Sequence, residues 1–156
     1  MIKIVLDTNC LLASLSKRGK YFLVWKDLHA GKYVLCVSDE ILNEYEEIIS
    51  IKANAHIAGN VIQTLINSSF VHLSNPYYRF NLIEQDKDDN KFVDCAVASN
   101  AQFIVSEDHH FAILKKKDFP KVEVIGIDLF LNILKAKPFQ HAEESPSSLL
   151  SEANEL

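Results

Sequence analysis

The sequence is poor in residues that break or staple a chain, with four glycines, four prolines and three cysteines among 156 residues. So few turn formers exclude a collagen-like or low-complexity polymer. The cysteines, Cys10, Cys36 and Cys95, lie far apart, each inside an apolar segment, and an odd number cannot pair completely. We read them as reduced core residues without a metal or redox role. Long hydrophobic runs are also missing, and none approaches the length of a membrane span. The N-terminus has no basic region, apolar stretch and small-residue cleavage site of a secretory signal; it enters an apolar strand within two residues. The expectation is a cytoplasmic protein that does not contact a membrane.

An excess of positive charge is absent too. The formal net charge is −5, which at first sight argues against a nucleic-acid partner. Its distribution weakens that objection. Four of the 21 acids (Glu143, Glu144, Glu152 and Glu155) lie after Lys137 with no base among them, leaving 17 acids against 16 bases in residues 1–137. If four of the remaining acids hold a metal, the rest of the surface is slightly basic. With 48% apolar and 24% charged residues, the composition is globular, and the length suits one domain. We therefore divide the chain into a domain of residues 1–137 and a polar, acidic, Ser/Glu-rich tail of residues 138–156, expected to be flexible.

Within the domain, strands and helices alternate. Residues 2–6, "KYVLCVS" (32–38), "QFIVS" (102–106) and "KVEVIG" (121–126) read as apolar strands of the kind buried on both faces of a parallel sheet, and "SFVHLS" (69–74) is a further short segment. Helices are expected after residue 7 with Thr8 or Asn9 as cap, over 21–30, after a Ser38 cap, over 53–67, 88–100 and 109–116, and over 127–135. Residues 75–90 form a loop. This pattern predicts an α/β fold whose mostly parallel sheet of four or five strands is covered on both faces.

In such sheets ligands bind outside the carboxyl ends of the strands. Asp7 follows the first strand and Asp108 follows "FIVS"; the helix after "YVLCVS" carries Glu40, Glu44, Glu46 and Glu47, and the helix before "FIVS" opens with Asp88 and Asp89. At about 100° per residue, Phe92, Val93, Ala96 and Val97 cluster around the direction of Asp89, whereas Asp94 lies roughly 140° away. Asp89 is expected to face inward and Asp94 outward, with capping by Asp88 or Asp89 as the alternative. Glu44 and Glu46 border the apolar face of their helix on opposite sides, and periodicity does not choose between them. Converging carboxylates repel and raise one another's pKa, and a hard divalent cation with oxygen ligands relieves this. A metal so held activates water for in-line phosphoryl displacement.

The segments "LDTNCLLASL", "VSDEILNEYEEII", "DKDDNKFVDCAVASNAQFIVSEDHHF" and "VEVIGIDLFL", in this order over residues 1–135, resemble the PIN domain family, most closely its branch of toxin components related to VapC-type ribonucleases. The resemblance implies a three-layer α/β/α sandwich, an endoribonuclease activity on RNA dependent on Mg²⁺ or Mn²⁺, a small antitoxin partner and a homodimer. Carried over by motif, the catalytic and metal-binding acids are Asp7, Glu44, Asp89 and Asp108, with Asn9 and Ser106 supporting them by hydrogen bonds. Ser106 replaces the usual Thr. Asp88 remains an alternative to Asp89.

Lys17, Arg18 and Lys20 after the first helix, and Lys115, Lys116, Lys117 and Lys121, are candidate contacts to an RNA backbone, which would add affinity without sequence choice. Tyr77, Tyr78 and Phe80 in the 75–90 loop could stack unpaired bases, although packing on the body is the more ordinary role. His109 and His110 have no third His or Cys near them for zinc. Rival readings are a non-catalytic scaffold and an Asp-nucleophile phosphohydrolase; the latter wants a second Asp two residues after the first, where this chain has Asn9.

Overall fold

The computed structural model describes residues 1–118 and 120–136; the expected tail of residues 138–156 lies outside the described residues. Its strands are β1 (Lys3–Leu6), β2 (Val34–Val37), β3 (Val71–Leu73), β4 (Phe103–Val105) and β5 (Val124–Ile125). The helices are α1 (Thr8–Ser14), α2 (Phe22–His29), α3 (Asp39–Lys52), α4 (Ala55–Asn67), α5 (Asn90–Ser99) and α6 (Ile127–Ala136). Two 3-10 segments, Lys87–Asp89 and His109–Lys116, precede α5 and follow β4. The second is a 3-10 helix where an ordinary short helix is expected. The short segment at residues 69–74 contributes the fifth strand.

All strand pairs are parallel, in the order β3-β2-β1-β4-β5. Parallel strands need covered crossovers, and the apolar runs supply strands buried on both faces: Ile4, Val5, Leu35, Cys36, Ile104 and Val105 are all fully buried. Helix α5 packs on β1, β2 and β4; α3 pairs with α4, and α2 with α1 and α6, completing a three-layer α/β/α sandwich. All three cysteines are buried and free, as expected for core residues. Among the described residues no helix is long and apolar enough to cross a membrane.

Local signals place the helices as the sequence suggests. Ser38 caps α3 by accepting from the Ile41 N–H, and Asn54 caps α4 by accepting from the Ile57 N–H. Asn100, in the left-handed region, ends α5. One cap differs from expectation. The residue that caps α1 is Asp7, because its extended backbone (φ −69, ψ 159) swings the carboxylate over the first turn, while Thr8 and Asn9 are already helical.

Tyr45 ties α3 to the end of β1. It is fully buried, and its hydroxyl donates to the Leu6 carbonyl, one residue before Asp7. Burial holds its phenol well above the ordinary range, so the hydroxyl keeps its proton. Tyr45→Phe leaves that carbonyl without its partner. It is expected to cost about 1–3 kcal/mol of stability, read as a lower urea midpoint with an unchanged slope.

Candidate active site

The strand order reverses between β1 and β4, which makes their carboxyl ends the crevice of the sheet. Leu6 pairs with Val105, so the residues that follow, Asp7 and Ser106, come side by side. The Asp7 N–H completes the ladder by donating to the Val105 carbonyl at 3.0 Å. Asp7 is buried, and each of its oxygens has a partner: Oδ1 accepts from the Cys10 N–H at 3.0 Å and Oδ2 from the Ser106 hydroxyl. Ser106 Oγ in turn accepts from the Asp108 N–H at 3.0 Å. One serine therefore joins the acid after β1 to the acid after β4.

Glu44, halfway along α3, lies on the same side. Its carboxylate accepts from the Thr8 hydroxyl and from Lys91 Nζ, the latter at 2.9 Å. Glu46 is exposed. Glu44 thus lies on the edge of α3 that faces Thr8 of α1 and Lys91 of α5. Asn9, expected to support the site, is exposed on α1 with no side-chain hydrogen bond; Thr8 makes the bridge instead.

Asp89 occupies the N-cap position of α5 but makes no capping bond, which removes the alternative that it is simply a cap. Asp86 serves the preceding 3-10 turn, accepting from the Asp88 N–H at 3.1 Å, and Asp88 is exposed. Asp89 Oδ2 lies 3.3 Å from His110 Nδ1, which is also 3.3 Å from Asp108 Oδ1 and 3.9 Å from Asp86 Oδ2. Burial, followed by the charges of Asp86 and Asp108, pushes the Asp89 carboxyl up to about 6, against a smaller opposite pull from His110. Asp108 itself accepts from the His110 N–H at 2.9 Å. Asn90 fixes the neighbouring loop, accepting from the Ile83 N–H and donating to the Ile83 carbonyl, both at 2.9 Å.

Of the four acids expected to share a site, Asp89 and Asp108 meet across His110 and Asp7 joins Asp108 through Ser106. Glu44 is attached through Thr8 and Lys91. Among the described residues, the groups whose ligand atoms lie within 4.8 Å of one another are Asp86, Asp89 and His110, and Asp108, His109 and His110; Asp7 and Glu44 belong to neither. Sequence reasoning missed Thr8, Lys91 and the part taken by His110. The position of His110, just beyond the end of a strand, was a usable signal. Nothing in the sequence marks Lys91, which reads as a solvated helix residue.

The expectation that Asp94 faces outward needs correction. Asp94 does point away from the apolar face of α5, but the loop before it covers that side: its carboxylate is buried and accepts from the Phe80 N–H at 3.1 Å. Helical periodicity reports a direction, not what lies over it. The aromatic loop does not pack down as a whole, since Tyr77 is fully exposed and Tyr78 leans edge-on against Phe80 at 4.6 Å. Among the candidate RNA contacts, Lys17, Arg18, Lys115 and Lys116 are exposed, whereas Lys20 pairs with Asp128 at 2.9 Å.

The raised Asp89 pKa makes a signed prediction. A carboxyl whose folded pKa, about 6, exceeds its ordinary value of 3.8 binds more protons folded than unfolded between those values, so stability falls as pH rises through that window and stays low above it. In EDTA, Asp89→Asn is expected to melt higher than the parent at pH 7.5, with the gap closing as the pH is lowered to about 4. Thermal melts across that range check it, and a variant that melts lower at pH 7.5 contradicts it.

Comparison with known proteins bears on the fold and the family. No curated protein matches the chain. Among solved structures, the chain is similar to VapBC2 from Rickettsia felis bound to a promoter DNA fragment, with a TM-score of 0.57 at 16% identity over 80% of this chain and 98% of that one. It is also similar to VapC20 of Mycobacterium tuberculosis, described as a toxin that cleaves the sarcin-ricin loop, with a TM-score of 0.52 at 18% identity over 70% of this chain and 92% of that one. At these identities the likeness concerns the fold. The model of one family, the PIN domain, matches residues 3–110, a span that contains all four acids, and the chain belongs to that family.

Proposed function

We propose that the protein is a metal-dependent endoribonuclease that serves as the toxin of a toxin–antitoxin pair. The observation that carries this reading is the meeting of Asp89 and Asp108 at His110, beside the Asp7–Ser106 bridge, at the switch point of the sheet. Membership of the PIN family supports it, as does the fold shared with a toxin described as cutting RNA.

The donor set around His110 fits a hard divalent cation: carboxylate oxygens of Asp86, Asp89 and Asp108 gather within 3.9 Å of one imidazole nitrogen, and burial with the two neighbouring charges pushes the Asp89 carboxyl up. Asp7, Glu44, Asp89 and Asp108 would hold Mg²⁺ or Mn²⁺. When bound, such an ion lowers the pKa of a water molecule and stabilises the oxygens of the phosphate under attack. The chain's own residues prepare the site. Ser106 fixes the Asp7 carboxylate, Thr8 and Lys91 orient Glu44, and His110 keeps Asp89 and Asp108 together. Lys91 also neutralises one charge, so the site does not carry four uncompensated carboxylates.

Cleavage of a labelled unstructured RNA with Mn²⁺ or Mg²⁺ is the direct test. Asp7→Asn is expected to lower kcat by about a hundredfold or more, an amount typical of losing a group that stabilises the transition state, and EDTA should abolish cutting. Activity that persists in excess EDTA would falsify the reading; a lack of cutting in any metal-replete buffer leaves the scaffold and phosphohydrolase alternatives. Added Mg²⁺ should also stabilise the folded chain, by about 2.7 kcal/mol at roughly a hundred times its dissociation constant, and Asp89→Asn should gain much less.

An RNase made in its own cytoplasm needs restraint. We infer a small antitoxin protein as partner and a homodimer as the working form. Toxicity on expression should be relieved by co-expressing the small product of a neighbouring gene, and light scattering should give a dimer at micromolar concentration; a monomer throughout that range refutes the second point.

A further inference from the structure

A cavity of about 570 Å³ adjoins the acidic cluster, and His110 lines both. Its walls combine two chemistries. Leu82 and Ile113 are apolar, whereas Lys116 and Lys117 bring exposed cations to it, and Glu84 and Gln85 add polar groups able to hydrogen-bond a ligand edge. The volume lies within the ordinary range for a site that encloses a small organic molecule. A nucleotide matches this lining part by part: a flat apolar base for the apolar wall, polar base edges for Glu84 and Gln85, and a phosphate for the lysines. Only an unpaired base has its edges and face free to enter.

We propose that this cavity holds an unpaired nucleotide of the RNA strand, adjacent to the phosphate that meets the acids at His110. The inference rests on the nuclease reading for the identity of the strand, but not for the binding itself. It accounts for the neutral balance of the domain. The strand is not drawn in by a broad basic face; two lysines of the cavity wall offset repulsion from the acids, and enclosure of one base supplies the rest of the affinity. It also assigns the cationic end of the 3-10 helix His109–Lys116 a role that Lys17 and Arg18, in a different loop, would not share.

The test measures binding by fluorescence anisotropy, using a labelled unstructured RNA and the full chain carrying Asp7→Asn, in Mg²⁺, so that the strand is not consumed. Ala112 is exposed and lines the cavity, so Ala112→Trp fills it from a position tolerant of size. In that background Ala112→Trp should weaken binding about tenfold, the scale of one lost base-stacking contact, without changing the dependence on salt. Lys116→Gln with Lys117→Gln should lower the salt slope by about 1.4, or about 0.7 for each phosphate contact to a single strand, whereas Lys17→Gln should leave the cavity variants' effects unchanged. These exposed lysines keep the test informative if Ala112→Trp does not fold. A fully paired duplex of the same sequence should bind alike with and without Ala112→Trp. A folded Ala112→Trp chain that binds the single strand as tightly as its parent overturns the proposal, as does parent binding that is absent altogether. The two readings fail separately: cutting by the native chain with unaltered Ala112→Trp binding refutes the cavity alone, and binding lost in the cavity variants without any cutting refutes the nuclease alone.

Discussion

The carboxylate of Asp7 joins three elements at once, and the geometry of the site depends on it. One oxygen takes the Cys10 N–H in the first turn of α1 and the other takes the Ser106 hydroxyl, while the backbone N–H of the same residue extends the β1–β4 ladder. A buried carboxylate is costly unless its oxygens are hydrogen-bonded, and here both are. The residue is thus a helix cap and a site acid together. Its direction is fixed before any ligand arrives, because the same hydrogen bonds that make its burial tolerable also aim it.

From that anchor the other acids are placed by connections of one or two bonds. Ser106 passes position from Asp7 to the backbone of Asp108, and Asp108 to His110, which faces Asp89. On the other flank, Thr8 connects α1 to Glu44, and Lys91 connects Glu44 to the helix that Asp89 begins. Like charges are separated by neutral or cationic groups in each case: a serine, a threonine, a lysine or a histidine stands between the acids. That alternation limits repulsion in the metal-free chain. The raised pKa of Asp89 marks where it is least complete, since Asp86 and Asp108 both act on that carboxyl.

The cavity beside His110 extends the proposed site from the acids to the strand it would bind. The ends of β1 and β4 and the helices α3 and α5 hold the acids, and the surface that would meet the rest of the ligand comes from the loop around Leu82 and from a 3-10 helix. Connecting segments commonly carry recognition while the sheet carries position. Asn90 ties this loop down, because the oxygen and the nitrogen of its side-chain amide clamp Ile83 next to α5.

By itself the sequence determined the alternation of strands and helices, the parallel sheet and the identity of the acids after β1 and β4, because buried parallel strands read as continuous apolar runs and side-chain period is a local property. From four apolar neighbours it gives the direction of Asp89, which in the structure sits at the N-cap of α5 and faces His110. It did not determine what covers the other face of α5, so Asp94 was read as exposed when the 74–80 loop buries it. Periodicity leaves Glu44 and Glu46 open, and the choice of Glu44 rests on the resemblance of the motif. Nor could the sequence give Lys91 and Thr8 their parts, since those contacts join residues 36 and 47 positions apart. Only the tertiary structure decided these. Hydrogen bonds and ion pairs between elements depend on how the elements dock, and the local pattern of a helix or strand contains no record of its neighbour.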